Sequence, residues 1–263
     1  MARPSPLARI AFAILIAAIA LFLMAPTLVV IPISFTTTSI AQFPPVGFSF
    51  QWYANVIHDP VWRSATATSL QIATLTVILS VVIGTAAALS LHRGDFAGKA
   101  VIRAILLSPL VTPVIVLAIG IFMVFARWGL AGTVPGLVIA HTVLALPFVI
   151  VAVTATLHGV NPNLELAALG LGARPWRTFR RVTLPLIMPG VVAGAIFAFI
   201  TSWDEVVVAI FMTTSSLRTI PVLVWGQMRT EISPAIAAVG TILIVISVAG
   251  LGAISLLKRK ERP

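Results

Sequence analysis

The chain has 263 residues, of which 59% are hydrophobic and 9% charged, with a net charge of +10 and no cysteine. This composition excludes a soluble domain with an ordinary core, a disulfide framework and thiolate chemistry, and it places the protein in a membrane. The positive charge calls for no nucleic-acid partner, because lipid topology accounts for it.

Runs of 18 or more mainly apolar residues can cross a hydrocarbon layer of about 30 Å. Six occur, at roughly 10–34, 67–91, 102–126, 134–157, 188–212 and 235–257. The first follows Arg3 and Arg9, as a secretory signal would. It nevertheless continues from Ile10 to about Ser34, beyond the length of an h-region, and no A-x-A site follows. It therefore reads as an uncleaved first helix, with Pro26 and Pro32 as expected bends.

Residues 35–66 form the longest outer segment. Pro44, Pro45 and Gly47 exclude a regular helix at its start, and Phe48, Phe50, Trp52, Tyr53 and Trp62 read as an aromatic belt at the outer interface. The inner loop HRGDFAGKA brings Gly94, Gly98 and Lys99 into a pattern that hints at a phosphate loop. Such a loop needs four residues between its glycines and Ser or Thr after the lysine; here three intervene and Ala100 follows. ATP hydrolysis is thus not expected in this chain, and Arg93 and Lys99 read as topology charges.

Pro109, Pro113 and Pro147, with Gly120 and Gly136, allow bends and close backbone approach in the third and fourth runs. His141 lies in the fourth run, where a histidine either hydrogen-bonds a neighbouring helix or lines a transport path. His58, His92, His141 and His158 are widely separated in sequence and have no metal-site spacing.

The stretch from Asn161 to Pro189, NPNLELAALGLGARPWRTFRRVTLPLIMP, is polar but patterned. Asn161 suits a helix N-cap, Pro162 the first helical position, and Glu165 a first turn where the helix dipole favours negative charge. Leu164, Ala167, Ala168 and Leu171 share one face, and Gly170 and Gly172 supply a stop with a left-handed cap. Pro175 opens a second short helix, with Trp176, Phe179 and Val182 on one side and Arg177, Arg180 and Arg181 toward the other. Pro185 and Pro189 are expected to mark the turn into the next run.

In the fifth run Gly190, Gly194 and Ala198 recur every four residues, a small-residue seam that admits a close neighbouring helix. Thr201, Asp204 and Glu205 continue along it. Asp204 is 14 residues past Gly190, roughly 21 Å along a helix, so the acidic pair falls between midplane and outer third. Carboxylates there must face protein, water or a cation. The pair is expected to face a cavity or a subunit interface, with Glu205 on the seam's face toward the nearest helix and Asp204 beside it. The outer segment after Met212 carries Arg218, Pro221, Trp225, Gln227, Arg229 and Glu231, and the terminal KRKER is a stop-transfer cluster.

If both termini are cytoplasmic, the inner side holds thirteen basic residues: Arg3, Arg9, Arg93, Lys99, Arg103, Arg174, Arg177, Arg180, Arg181, Lys258, Arg259, Lys260 and Arg262. Arg63, Arg127, Arg218 and Arg229 are left outside, so the cytoplasmic assignment follows from the positive-inside rule.

The stretch from Asn161 to Pro189 resembles the cytoplasmic coupling motif of ABC importer permeases, EAA, three residues, Gly, nine residues, then I-x-L-P. Ala167, Ala168, Gly172, Leu184 and Pro185 match, and Val182 stands for the isoleucine. Leu166 occupies the glutamate position, with Glu165 one residue earlier. The outer segment 35–66 and SWDEVVVAIFMTTSSLRTIPVLVWGQMRTEISP resemble spermidine/putrescine-type permeases. The resemblance implies an all-α membrane protein with six transmembrane helices in the type I ABC importer permease fold. It divides the chain into a first helix and outer loop (1–64), a permease domain (65–257) containing the coupling segment 161–189, and a cytoplasmic tail (258–263). It further implies a multi-pass protein of the bacterial inner membrane that pairs with a second, non-identical permease subunit. Two cytoplasmic ATPase subunits and an extracytoplasmic substrate-binding protein complete the assembly. ATP and Mg would belong to the ATPase, with no cofactor in this chain. Glu165, Leu166, Ala167, Ala168, Gly172, Leu184 and Pro185 would then couple to the ATPase, and Thr201, Asp204, Glu205 and His141 would border the substrate path.

Two other functions compete. An ion-coupled secondary transporter would use Asp204 or Glu205 for a proton or sodium ion, and the register of the coupling motif opposes it. A membrane-embedded enzyme finds no metal cluster, no G-x-S-x-G and no cysteine nucleophile in the sequence. Within the ABC reading, small solutes other than polyamines stay open.

Overall fold

The computed structural model describes residues 6–230 and 233–245. Arg3, Glu231, the end of the sixth apolar run and the basic cluster at 258–262 lie outside them. Among the described residues the secondary structure is helical throughout, with α1 (Pro6–Ile33), α2 (Gln51–His58), α3 (Pro60–Arg93), α4 (Lys99–Leu107), α5 (Val114–Arg127) and α6 (Val134–Leu157). They are followed by α7 (Asn163–Gly170), α8 (Pro175–Thr178), α9 (Leu184–Trp203), α10 (Val207–Met212), α11 (Ile220–Thr230) and α12 (Pro234–Val245). The described residues fall into two compact units, one up to Arg63 and from Val224 onward, the other Ser64–Leu223.

In the first unit α1 is apolar on all sides and exposed along its length, Phe22 by 78% and Leu23 by 68%. Such a surface is stable only with hydrocarbon as the solvent. Pro26 and Pro32 lie inside this one helix. The segment after it is irregular up to Phe50, as its prolines require. Phe35 stacks on Phe48 at 4.7 Å and meets Phe50 and Tyr53 edge-on or tilted, and Phe35, Phe50 and Tyr53 line a cavity with Thr241, Ile242 and Val245. Trp52 Nε1 donates to the Thr36 carbonyl at 2.9 Å. Trp62 departs from the expected interfacial belt, because at 2% exposure it is a core residue. It sits in α3, which starts at Pro60 rather than near residue 67: Asp59 Oδ1 accepts the Val61 N–H at 2.7 Å and Pro60 holds the first helical position.

The second unit is built on α6 and α9, which pack along their lengths. Their antiparallel register follows from the contacts. Gly190 faces Ala152 and Thr156, Gly194 faces Val149, and Ser202 faces His141. Gly190, Gly194, Ala198 and Ser202 are buried on one stripe of α9, so the small-residue seam exists and its partner is α6 of the same chain. α6 is capped by Thr133, whose hydroxyl accepts the Gly136 N–H. One buried cluster joins Ile72, Leu137, Leu144, Val208 and Met212, and another joins Ala88, Val149, Val153, Leu157 and Ile187.

Two of the six expected spans are interrupted. Residues 102–126 do not make one helix: Lys99–Leu110 and Val114–Arg127 meet at 107°, because Pro113 adopts an extended backbone (ψ 125°) and starts a new helix. The fifth span begins earlier, at Pro175, stops at Trp203, and resumes as α10 after a break at residues 204–206. Pro185 and Pro189 do not form a turn; both lie in α9, and a wide π turn over Phe179–Thr183, closed by Leu184 N–H to Phe179 O, precedes them. Pro185 has no N–H for the preceding turn, so the wider spacing of the π turn absorbs the interruption. Among the described residues, four helices are long and apolar enough to cross a membrane, five if the bent pair counts as one span. α12 is the described part of the sixth run.

Candidate coupling surface and transport path

α7 ends in a cap that its sequence anticipated. Gly172 has φ +82°, Ala173 N–H donates to Ala168 O at 3.0 Å, and Gly172 N–H donates to Leu169 O at 2.9 Å. These are the two bonds of a Schellman motif, with glycine in the left-handed position. At the other end the helix starts at Asn163, two residues past the expected cap, and Asn161 Oδ1 still accepts the Asn163 N–H.

The outer face of this segment is apolar yet uncovered. Leu166 is 63% exposed, Leu171 90% and Trp176 69%, with Leu164 and Leu169 also exposed. Ala167, Gly172 and Pro185 are exposed as well, whereas Ala168 and Leu184 are half-buried. Arg174, Arg177, Arg180 and Arg181, which follow in the chain, are exposed too. Exposed leucines in this number make the segment a candidate docking surface.

Glu165 points the other way. Its Oε1 takes the Arg93 guanidinium at the end of α3 and the Thr183 hydroxyl at the end of the π turn. Arg93 is therefore more than a topology charge. Nearby, Lys99 Nζ donates to the Gly94 carbonyl at 2.8 Å, and the rings of His92 and His158 meet edge-on at 4.7 Å. The two histidines, distant in sequence, thus become neighbours through the end of α3 and the residue after α6. Among the described residues, no group of three or more His, Cys, Asp or Glu could hold a metal ion.

At the α9–α10 break the two adjacent carboxylates separate. Glu205 is 8% exposed and caps α10: Oε1 accepts the Val208 N–H and Oε2 the Ala209 N–H, each at 2.9 Å. His141 is completely buried, its Nδ1 shares a 2.8 Å hydrogen bond with Ser202 Oγ, and its Nε2 lies 3.8 Å from Glu205 Oε2. Ser202, not among the residues expected at the path, is the one that continues the Gly190–Gly194–Ala198 stripe, and Thr201 beside it is half-buried. The four-residue spacing from Ala198 is the signal for Ser202. Asp204 is exposed at the break.

This assigns Glu205 a measurable structural role. Hydrogen bonds to a charged group contribute about 1.5–3 kcal/mol. Glu205→Ala should therefore lower the thermal midpoint of the purified protein in detergent by several degrees and expose the α10 amides to hydrogen exchange. Unchanged protection at Val208 and Ala209 would remove the capping role.

Comparison with known proteins agrees with this geometry. Residues 80–263 match the family model "Binding-protein-dependent transport system inner membrane component". The spermidine/putrescine transport system permease protein PotC of Escherichia coli K12 is 32% identical over 82% of this chain and 81% of its own length. The putrescine transport system permease protein PotI of the same organism is 30% identical over 92% of this chain and 88% of its own. A solved bacterial ABC transporter involved in import of the acidic polysaccharide alginate superimposes with a TM-score of 0.74, at 20% identity, over 100% of both chains. The fold is that of a type I ABC importer permease. The chain acts as a transport subunit rather than an enzyme, alongside an ATPase and a substrate-binding protein, and ATP is bound by the ATPase. The protein belongs to the inner-membrane permease components of binding-protein-dependent ABC importers, multi-pass proteins of the inner membrane.

Proposed function

We propose that this permease moves small polycations of the spermidine and putrescine class by alternating access. The observation that carries the reading is the division of labour at the helix break. Glu205 is occupied by the α10 amides, whereas Asp204 keeps an exposed carboxylate within the fifth apolar run. A cation passing that depth gains from an unneutralised carboxylate, and an anion is repelled. The names of PotC and PotI support this cargo class. In this reading Thr201 and Asp204 border the path, and His141 with Glu205 holds the break in shape.

The same reading places six spans in the bilayer with both termini cytoplasmic, in the division 1–64, 65–257 and 258–263. A second, non-identical permease completes the pathway. Two ATPase subunits grip the coupling helices of the two permeases, here the exposed face of residues 164–173, with Leu166, Ala167, Gly172, Leu184 and Pro185 in the coupling segment. Closure of the ATPases rocks the helices and opens the cavity outward, and hydrolysis resets it inward.

The test is uptake of labelled putrescine and spermidine by the complete importer in proteoliposomes. Asp204→Asn is expected to lower uptake about tenfold, equivalent to about 1.4 kcal/mol. Co-purification of the subunits should be unchanged. Preferential uptake of an anion or a neutral sugar, or full uptake in Asp204→Asn, overturns the cargo assignment.

A further inference from the structure

Neighbouring residues on a helix point about 100° apart, so Glu165 and Leu166 cannot serve the same surface. Leu166 faces outward at 63% exposure, and the Glu165 side chain, at 16%, turns into the protein. A single carboxylate oxygen there joins three elements: α7 itself, Arg93 as the last residue of the 34-residue α3, and Thr183 just before the 20-residue α9. Thr183 is 1% exposed and occupies the last position of the π turn Phe179–Thr183. The extra residue of a π turn rotates the helix beyond it, and such turns concentrate at functional sites.

An ion pair as open as this one, with Arg93 38% exposed, adds little to global stability. Its consequence is geometric. α7 is only eight residues long and contains no buried residue, so hydrophobic packing does not hold it. Its Schellman cap shapes its C-terminus, and the Glu165 carboxylate attaches its first turn to the two spans.

We propose that Arg93, Glu165 and Thr183 form the link through which a displacement of the coupling helix reaches α3 and α9, with Glu165 as a positioning residue. The proposal rests on the reading that the leucine face of α7 docks on the ATPase. A push on Leu166 would otherwise tilt a loosely held helix; through the carboxylate it moves the inner ends of two membrane helices together. Leu166 at the motif's glutamate position fits this division, because docking is then apolar and the charge is kept for the internal link.

The experiment measures cargo moved per ATP hydrolysed in the complete importer, with labelled putrescine in proteoliposomes, for Glu165→Gln, Arg93→Gln and the double variant. A purely structural role would reduce the yield of assembled importer without changing this ratio. The link predicts a ratio about tenfold lower in each single variant and no further fall in the double, since the two residues act as one unit. Thr183→Val, which removes one contact and keeps the charge pair, is expected to lower the ratio by about threefold. An unchanged ratio, or a double variant about a hundredfold down as independent sites would give, overturns the link. Crosslinking Leu166→Cys to a cysteine on the ATPase separates the two readings. Its absence in the otherwise native importer overturns the docking reading and the link with it. A crosslink together with an unchanged or additive ratio overturns the link alone.

Discussion

Replacing Gly172 by valine should abolish transport while leaving the chain inserted and assembled. The residue sits at φ +82°, a region that β-branched residues occupy only under strain of about 1–2 kcal/mol or more. A Cβ built there meets nothing within 4 Å, so the penalty lies in the backbone and cannot be relieved by moving a neighbour. The chain would relax by leaving the left-handed conformation and giving up the Ala173–Ala168 and Gly172–Leu169 hydrogen bonds. That redirects the chain into Pro175–Thr178 and displaces the exposed Leu171 and Trp176, beside the face proposed to dock on the ATPase. Gly172→Asn should be milder, because asparagine tolerates the left-handed region. Binding-protein-stimulated ATP hydrolysis is the measurement: it should be lost in the valine variant and partly kept in the asparagine one. Normal stimulation with valine would show that the cap does not position the docking face.

The second large effect is expected at the α6–α9 seam. A Cβ at Gly190 would lie 2.8 Å from the Ala152 carbonyl oxygen and 2.9 Å from Thr156 Cβ, and the first of these is backbone that cannot rotate aside. Gly190→Val therefore forces the two helices apart. In a membrane, helices are held by such close packing rather than by a hydrophobic drive between them, so separation sacrifices the main attraction along the seam. Overpacking of this kind costs about 1–3 kcal/mol. The same separation would loosen the His141–Ser202 hydrogen bond farther along the pair. The variant should give a lower thermal midpoint in detergent and less assembled importer at equal expression. Gly194→Ala, whose Cβ would lie 3.0 Å from Val149 Cα, should fall between the native protein and Gly190→Val. A native midpoint for Gly190→Val would mean that the seam opens without loss.

Features set by neighbours along the chain were legible without coordinates. The membrane class follows from composition, the small-residue stripe from a four-residue repeat, and the cap at Gly172 from a glycine placed just past an apolar face. Each of these depends on residues a few positions apart, where backbone geometry dictates who meets whom. The family belongs with them, because the motif that marks it is a pattern of spacings.

What tertiary structure alone decided involves residues far apart, or a choice between two local outcomes of similar cost. Asp204 and Glu205 are chemically near-equivalent in sequence. Only the position of α10's free amides, and of His141 on α6, makes one a buried cap and leaves the other exposed. The prolines show the same ambiguity: Pro113 breaks its helix and Pro189 does not, although both remove one backbone hydrogen bond. Trp62 became core and Arg93 became half of an ion pair with Glu165, 72 residues away. Interfacial tryptophan and cytoplasmic arginine are what transfer energies favour when no partner is known. A partner brought close by the fold outweighs that general preference, and no local pattern announces it.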